Sequence, residues 1–490
     1  MSERLSAADA SFFSVEGRTT PQHVGGLAIF QLPPGGFDYD RLVGLLEERI
    51  SLAPRYRQKL RMMPAYLANP VWVDDPNFDI TYHVRRSVMP RPGTDEQLLE
   101  FCARIQSRLL DRSRPLWEMY LVEGLSGGRV AIVTKTHHSM VDGLGAVDIA
   151  QVILDDSPEP RPTAAHLWMP APEPSSAGLL LQALADAATR PAAAVGALRL
   201  GINDLRASAG RLSAAAAGAL TAARAMVHPA GASPLSVEPG EQRRLALART
   251  RLEDYRQVRA VHGGTVNDVV LATVTGALRG WLLFRGEMVR PSTTVRALVP
   301  LGVADDSGER VTALLVDLPV GEADPVVRLA RLSYVLATHQ ASGGSVGADV
   351  LVALSGFAPP TLHTLSARAA HGLRRRMFRL VVTNVPGPQR PLYAGGALMT
   401  EMFPILPLGP GQSVSIGLTS YDGGVYYGLN GDREAMTDVG VLAGLVEESL
   451  AELVEASPVV RPSGAADPAP RAARLRVAKR RAPTSRKPSL

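Results

Sequence analysis

The sequence predicts an α/β protein built as two comparable halves. Three observations carry this. Short β-rich runs alternate with stretches whose apolar residues recur at helical spacing, and they do so in both halves. A Pro-rich break at 155–178 separates the halves. Glycine-bearing turns join neighbouring strand-like runs on either side of the break. A chain of 490 residues is also too long for one simple core, which fits more than one domain.

In order along the chain, "HVGGLAIFQL" at 23–32 reads as a strand. "DYDRLVGLLEERIS" at 38–51 places Leu42, Leu45, Leu46 and Ile50 on one helical face, with an aspartate near its start. "EQLLEFCARIQSRLL" at 96–110 repeats that pattern. "YLVEGL" and "RVAIVTKTHH" flank "SGG" and read as a hairpin. Helical spacing returns over 142–154 through Leu144, Val147, Ala150 and Leu154. After the Pro-rich stretch, residues 179–227 carry an apolar stripe from Val195 to Leu220, one face of an amphipathic helix that either packs on the protein or lies in a membrane interface. In the second half, "GTVNDVVLATVTGALRGWLL" reads as a long helix with a Thr or Asn near its start. "TTVRALVPLG", "VTALLVDLPV" and "FRLVVTNVPGP" are strand-like. "SVSIGLTSY" and "VYYGLNGD" flank "DGG", whose Asp-Gly supplies the positive φ angles of a hairpin turn. A helix through "VGVLAGLVEESLAELVEA" closes the fold. The expected partition is 1–155 and 235–457 as the two units, 156–234 as the linker and 458–490 as a basic disordered tail.

Composition narrows the function classes. The single cysteine, Cys102, leaves no internal disulfide framework and no cysteine-based zinc site, and it suits a reducing cytosol. The first residues lack the order of a signal peptide, and no run of about 18 apolar residues is present, so a cytoplasmic protein without a membrane span is expected. The net charge of +5 is uneven. Residues 461–490 hold nine Lys or Arg against Asp467, a balance of +8, which leaves −3 for the rest. That tail either solubilises the chain or draws it to anionic lipid head groups. No aromatic residue interleaves with its basic ones, which disfavours nucleic acid.

"THHSMVDGLG" at 136–145 is the densest chemistry in the sequence. Two imidazoles followed by a carboxylate leave metal binding, acid–base work and helix capping open. If the strand runs through His137 and His138, their rings point to opposite faces, which argues against one shared metal ion. One histidine then faces a cleft and the other is buried behind it.

"HHSMVDG" is similar to the HHxxxDG motif of the chloramphenicol acetyltransferase-like acyltransferases, which include peptide-synthetase condensation domains. "LSAADASFFSVEGRTTPQHVGGLAIF", "RPLWEMYLVEGL", "TVNDVVLATVTGALR", "ALVPLG", "VTALLVDLPV" and "TNVPGP" resemble, in order, the bacterial wax ester synthase/diacylglycerol acyltransferase family. Two positions depart from that pattern, Glu309 in place of an asparagine and Thr383 in place of a serine. The resemblance implies two chloramphenicol acetyltransferase-like domains of mixed sheets, joined by a helical linker, with a tunnel at their interface and the histidines in its middle. It implies transfer of an acyl group from acyl-coenzyme A, a co-substrate rather than a cofactor, to diacylglycerol or a long-chain alcohol. Peripheral association with an anionic membrane or lipid-droplet surface fits such acceptors. By resemblance His138 is the general base, an apt role for a group that titrates near neutrality. His137 is structural, Asp142 holds the loop, and Gly143 lets the backbone turn behind it. Asn267 and Asp268 are candidates for the oxyanion or the tunnel wall, with a helix N-cap as the alternative role for either. Asn384 and Gly387 are candidates for the coenzyme side, although Pro-Gly is also an ordinary turn. Pro115, Leu116 and Trp117 are expected to pack the domain seam. The competing readings are a condensation-type enzyme using carrier-bound acyl groups and a non-catalytic lipid-surface protein.

Overall fold

A computed structural model of the chain describes residues 3–5, 7–63, 69–141, 149–162, 168–175, 177–178, 233–305, 308–341, 346–347 and 378–458. The linker helix expected at 179–227, the basic tail, and Asp142 and Gly143 lie outside the described residues. In chain order the strands are β1 (His23–Gln31), β2 (Gln58–Arg61), β3 (Val71–Asp74), β4 (Val84–Val88), β5 (Trp117–Leu125), β6 (Arg129–His137), β7 (Leu154–Asp155), β8 (Arg243–Arg251), β9 (Val295–Asp305), β10 (Gly308–Leu318), β11 (Val346–Gly347), β12 (Leu380–Pro386), β13 (Tyr393–Ala394), β14 (Ala397–Ile405), β15 (Val414–Tyr421) and β16 (Gly424–Asp432).

Two mixed seven-stranded sheets organise the chain, in the orders β4-β5-β6-β1-β14-β13-β7 and β11-β10-β9-β12-β15-β16-β8. The α/β, two-sheet architecture is the one the sequence predicts. Within the first sheet β5 and β6 form the expected antiparallel hairpin, and β1 runs antiparallel to β6 with His23 opposite His137. Strands β13 and β14, from the second half of the chain, lie in the first sheet, where β14 is antiparallel to β1. In the second sheet β12 runs parallel to both β9 and β15. The β15–β16 turn has Asp422 at φ 43° and Gly423 at φ 80°, the left-handed pair that Asp-Gly tolerates.

The helices begin where capping chemistry allows. Asp38 caps Tyr39–Arg49 by accepting from the Arg41 N–H. Thr94 and Gln97 form a reciprocal capping box on Asp95–Gln106. Helix Val266–Phe284 is buried along nearly its whole length, because helices Pro325–Ala341 and Val439–Glu455 lie against it. Between 142 and 154, helix is described only for Ile149–Val152.

One large apolar cluster lies between the second sheet and these helices, with Val270, Leu278, Leu380, Ile416 and Leu442 all at most 1% exposed. A separate cluster joins Leu27, Val133 and Phe403 of the first sheet to Leu245 of β8, so the seam between the sheets is itself apolar. Its rim is ionic: Arg249 of β8 donates to Glu401 and Asp95, and Arg433 to Glu100.

Candidate active site

Strand β6 ends at His137, and His138–Met140 forms a single 3-10 turn. The strand therefore stops between the two histidines, and simple alternation does not decide where their rings point. Backbone hydrogen bonds pin the ending. The His137 N–H donates to the Leu116 carbonyl and the His138 N–H to the Gln22 carbonyl, both at 2.9 Å. His137 is buried and His138 half-buried.

His137 is held in one tautomer. Its Nδ1 accepts from the Ser139 N–H at 3.2 Å and lies 2.7 Å from the Ser139 hydroxyl. A lone pair on Nδ1 leaves the proton on Nε2. Nε2 faces Glu16 Oε1 at 3.6 Å. Burial first, then His138 and Arg112, push the His137 pKa down to about 3. The ring is thus neutral at working pH, and its approach to Glu16 is a dipolar contact, not an ion pair. Glu16 belongs to Arg112 instead, which donates Nε to Oε2 at 3.0 Å, while Oε1 accepts weakly from the Gln22 N–H at 3.4 Å.

The helix Ala7–Val15 lays two consecutive aromatic rings on the pair. Phe12 stacks on His138 with centroids 4.2 Å apart and planes 17° apart; Phe13 stacks on His137 at 4.2 Å and 14°. The Arg112 guanidinium also lies near Phe13, 5.2 Å from its centroid.

Behind the pair is a buried polar layer. His23 Nε2 lies 2.8 Å from the Gln106 carbonyl, and Gln106 in turn donates to the Thr134 carbonyl. Gly25 permits this approach, since a Cβ there would meet Gln106 Nε2 at 2.0 Å. Burial, ahead of Lys135 and other charges, puts the His23 pKa well below the usual histidine range. Lys135 is fully buried and donates to the Arg108 carbonyl; burial lowers its pKa to about 8 despite Glu118 at 3.7 Å. Cys102 is also fully buried, and burial pushes its thiol up to about 12. Leu116 and Trp117 are fully buried in the first sheet's core, where the Trp117 Nε1–H donates to the Tyr56 carbonyl.

The second group of candidates gathers at the start of helix Val266–Phe284 and at β12. Thr265, not Asn267 or Asp268, is the N-cap of Val266–Phe284. Asp268 closes the capping box: it accepts from the Thr265 N–H at 3.0 Å, and its own N–H donates to the Thr265 hydroxyl at 3.2 Å. The Asp268 side chain is thereby committed to the helix start. Asn267, freed from capping, accepts from the Asn384 amide at 3.3 Å, which ties the helix start to β12. Gly387 packs so closely on β15 that a Cβ would meet the Ser420 carbonyl oxygen at 2.4 Å, a packing reason for glycine.

Phe12, Phe13, Glu16 and Arg112 are absent from the sequence-derived candidates. The segment "SFFSVEG" stands among the stretches that resemble the family, which is the signal that could have drawn attention to the first three.

Comparison with known proteins identifies the family. Residues 5–270 match the wax ester synthase/diacylglycerol acyltransferase catalytic domain, and residues 307–454 match the C-terminal domain of the same family. A Mycobacterium tuberculosis protein named probable diacylglycerol O-acyltransferase tgs1 is 32% identical over 464 residues, covering 92% of this chain and 96% of its own. A second from that organism, named tgs3, is 44% identical over 261 residues, or 53% of this chain and 96% of its own. The solved structure of a wax ester synthase/diacylglycerol acyltransferase from Marinobacter aquaeolei VT8 superposes with a TM-score of 0.66 at 28% identity, over 93% of this chain and 99% of that one. The family match and the relatives named diacylglycerol O-acyltransferase place the chain in the class of acyltransferases. The chain belongs to the wax ester synthase/diacylglycerol acyltransferase family.

Proposed function

We propose that the protein transfers a fatty acyl group from acyl-coenzyme A to the hydroxyl of diacylglycerol or of a long-chain alcohol, with His138 as general base. The observation that carries this is the asymmetry of the pair: His138 is half-buried, beside a His137 held neutral and fixed by Ser139. A neutral alcohol is a weak nucleophile, and the thioester is a reactive donor. His138 removes the hydroxyl proton as the oxygen attacks the thioester carbon. The C–S bond then breaks, and the imidazolium returns the proton to the coenzyme A sulfur. Base catalysis of this kind contributes about 10²–10⁴-fold. Asn267 sits in the first turn of a helix, where N–H dipoles favour negative charge, which supports a place near the developing oxyanion or the tunnel wall. Asn384 and Gly387 line the coenzyme side in this reading, and Asp142 and Gly143 shape the loop after the histidines. In this reading the two acyltransferase-like domains are 1–155 and 235–457, joined by 156–234 and followed by the basic tail 458–490.

The test is turnover of purified variants with labelled acyl-coenzyme A and either diacylglycerol or hexadecanol. His138→Ala is expected to lose about 10²–10⁴-fold in kcat, some 3–5 kcal/mol, with its melting temperature kept. His137→Ala is expected to lose stability first. A folded His138→Ala protein with near-native turnover sinks the mechanism, and no neutral lipid from either acceptor favours a carrier-bound donor or a non-catalytic role. No helix among the described residues is long and apolar enough to cross a membrane. We propose that the protein meets its lipid from an anionic membrane or droplet surface, through the basic residues of 461–490. Equal binding to anionic vesicles by the full chain and by one lacking 461–490 defeats that part.

A further inference from the structure

Nothing in the proposed chemistry explains why a helix near the start of the chain presents two adjacent phenylalanines to two adjacent histidines. We propose that Phe12 is a positioning residue for His138, its ring face supporting the imidazolium that exists between proton removal from the acceptor and proton return to sulfur. This rests on His138 being the base.

The geometry is a face-to-face stack, with centroids 4.2 Å apart and planes 17° apart. An arene carries negative charge on its face, so it attracts a cation lying over it. It attracts the neutral imidazole less, and the difference stabilises the charged intermediate. A stacked ring does this from above the imidazole plane. It also removes a rotational freedom, because His138 cannot swing about its Cα–Cβ bond without losing the contact.

Neighbouring contacts brace the platform. Phe13 stacks on His137, and Arg112 binds Glu16 one residue past the end of the same helix. Glu16, 3.6 Å from His137 Nε2, is paired with Arg112. The ionisable groups on the elements around the pair are Asp9 and Glu16 from the start of the chain, Arg112 before β5, His23 on β1, and Lys135 and His137 on β6; the motif's own acid is Asp142. Of these, His23 and His137 are held neutral by burial.

The experiment measures kcat, KM for acyl-coenzyme A and the pH profile of kcat/KM for Phe12→Leu and Phe12→Tyr, with His138→Ala alongside. Losing the π-face destabilises the imidazolium relative to the neutral ring, so the acid limb of the profile is expected to move to lower pH. Phe12→Leu is expected to lose roughly 3- to 10-fold in kcat, with KM within about twofold and the acid limb about 0.5 unit lower. Phe12→Tyr keeps the ring face and restores both. A fluorinated phenylalanine at position 12 keeps the shape and drains the face of negative charge; it is expected to act like Leu and covers the case in which Leu fails to fold. A native rate and an unshifted limb in the Leu or the fluorinated variant overturn the proposal. So does a raised KM shared by Leu and Tyr with no shift, which marks a tunnel wall. If His138→Ala remains active, the base assignment itself falls. If His138→Ala is inactive while the Phe12 variants behave as native, only the role of Phe12 falls.

Discussion

Arg49 and Asp155 form a pair in which both side chains are 1% exposed, with Arg49 Nη2 donating to Asp155 Oδ2 at 2.9 Å. Burial alone would raise the Asp155 carboxyl. Hydrogen bonds from Arg161 and Arg49 outweigh it and hold the pKa below the usual carboxylate range. Removing one partner of such a pair leaves a buried charge uncompensated, at a cost of about 3–5 kcal/mol. Asp155→Ala is therefore expected to lower the denaturation midpoint sharply in a urea titration, with turnover kept where the protein stays folded. The sequence could not show this pair, because 106 residues separate its members and neither stands in a motif. The histidines were legible for the opposite reason: their spacing is local, and a long local string has few chance matches. The rings and carboxylate that hold them, Phe12, Phe13 and Glu16, lie more than a hundred residues away along the chain, where no periodicity connects them.

Helix starts were readable because capping is local chemistry. Asp38 caps the helix at Tyr39–Arg49 as expected. The long helix of the second half was expected to begin near a Thr or Asn, and Thr265 takes the position, with Asp268 completing the box. Thr265→Ala removes an acceptor for the Asp268 N–H and is expected to cost about 1 kcal/mol, seen as a lower melting temperature. The same change frays the turn that carries Asn267, so a fall in kcat without a change in KM would link this cap to the proposed oxyanion role. The hairpins β5–β6 and β15–β16 were equally legible, since glycine or Asp-Gly marks the turn. Partner choice among strands was not. A strand's alternation reveals which face it buries and says nothing of which edge it joins, so the place of β14 beside β1 had no local signature.

At the scale of the whole molecule, His137 makes the fold sensitive to acid. Its pKa is about 3 in the folded chain and about 6.5 when unfolded. The depressed value means that the unfolded chain binds more protons between those limits. Stability is therefore complete above about pH 6.5 and drains as pH falls towards 3, and buried His23 acts in the same direction. Melting temperatures are expected to drop across this window and to drop less steeply for His137→Gln; an identical slope in the two proteins would show that His137 takes up no proton on unfolding. The two halves meet in an apolar seam with an ionic rim, and β14 lies between β1 and β13 inside the first sheet. The Thr400 hydroxyl donates to the Ile29 carbonyl across 371 positions of chain. During synthesis, then, β1 waits with one edge unpaired until nearly the whole protein has left the ribosome. Until the last quarter of the chain arrives, the edge of β1 that β14 covers has no partner within this sheet, and an uncovered edge is where strands of another chain can pair.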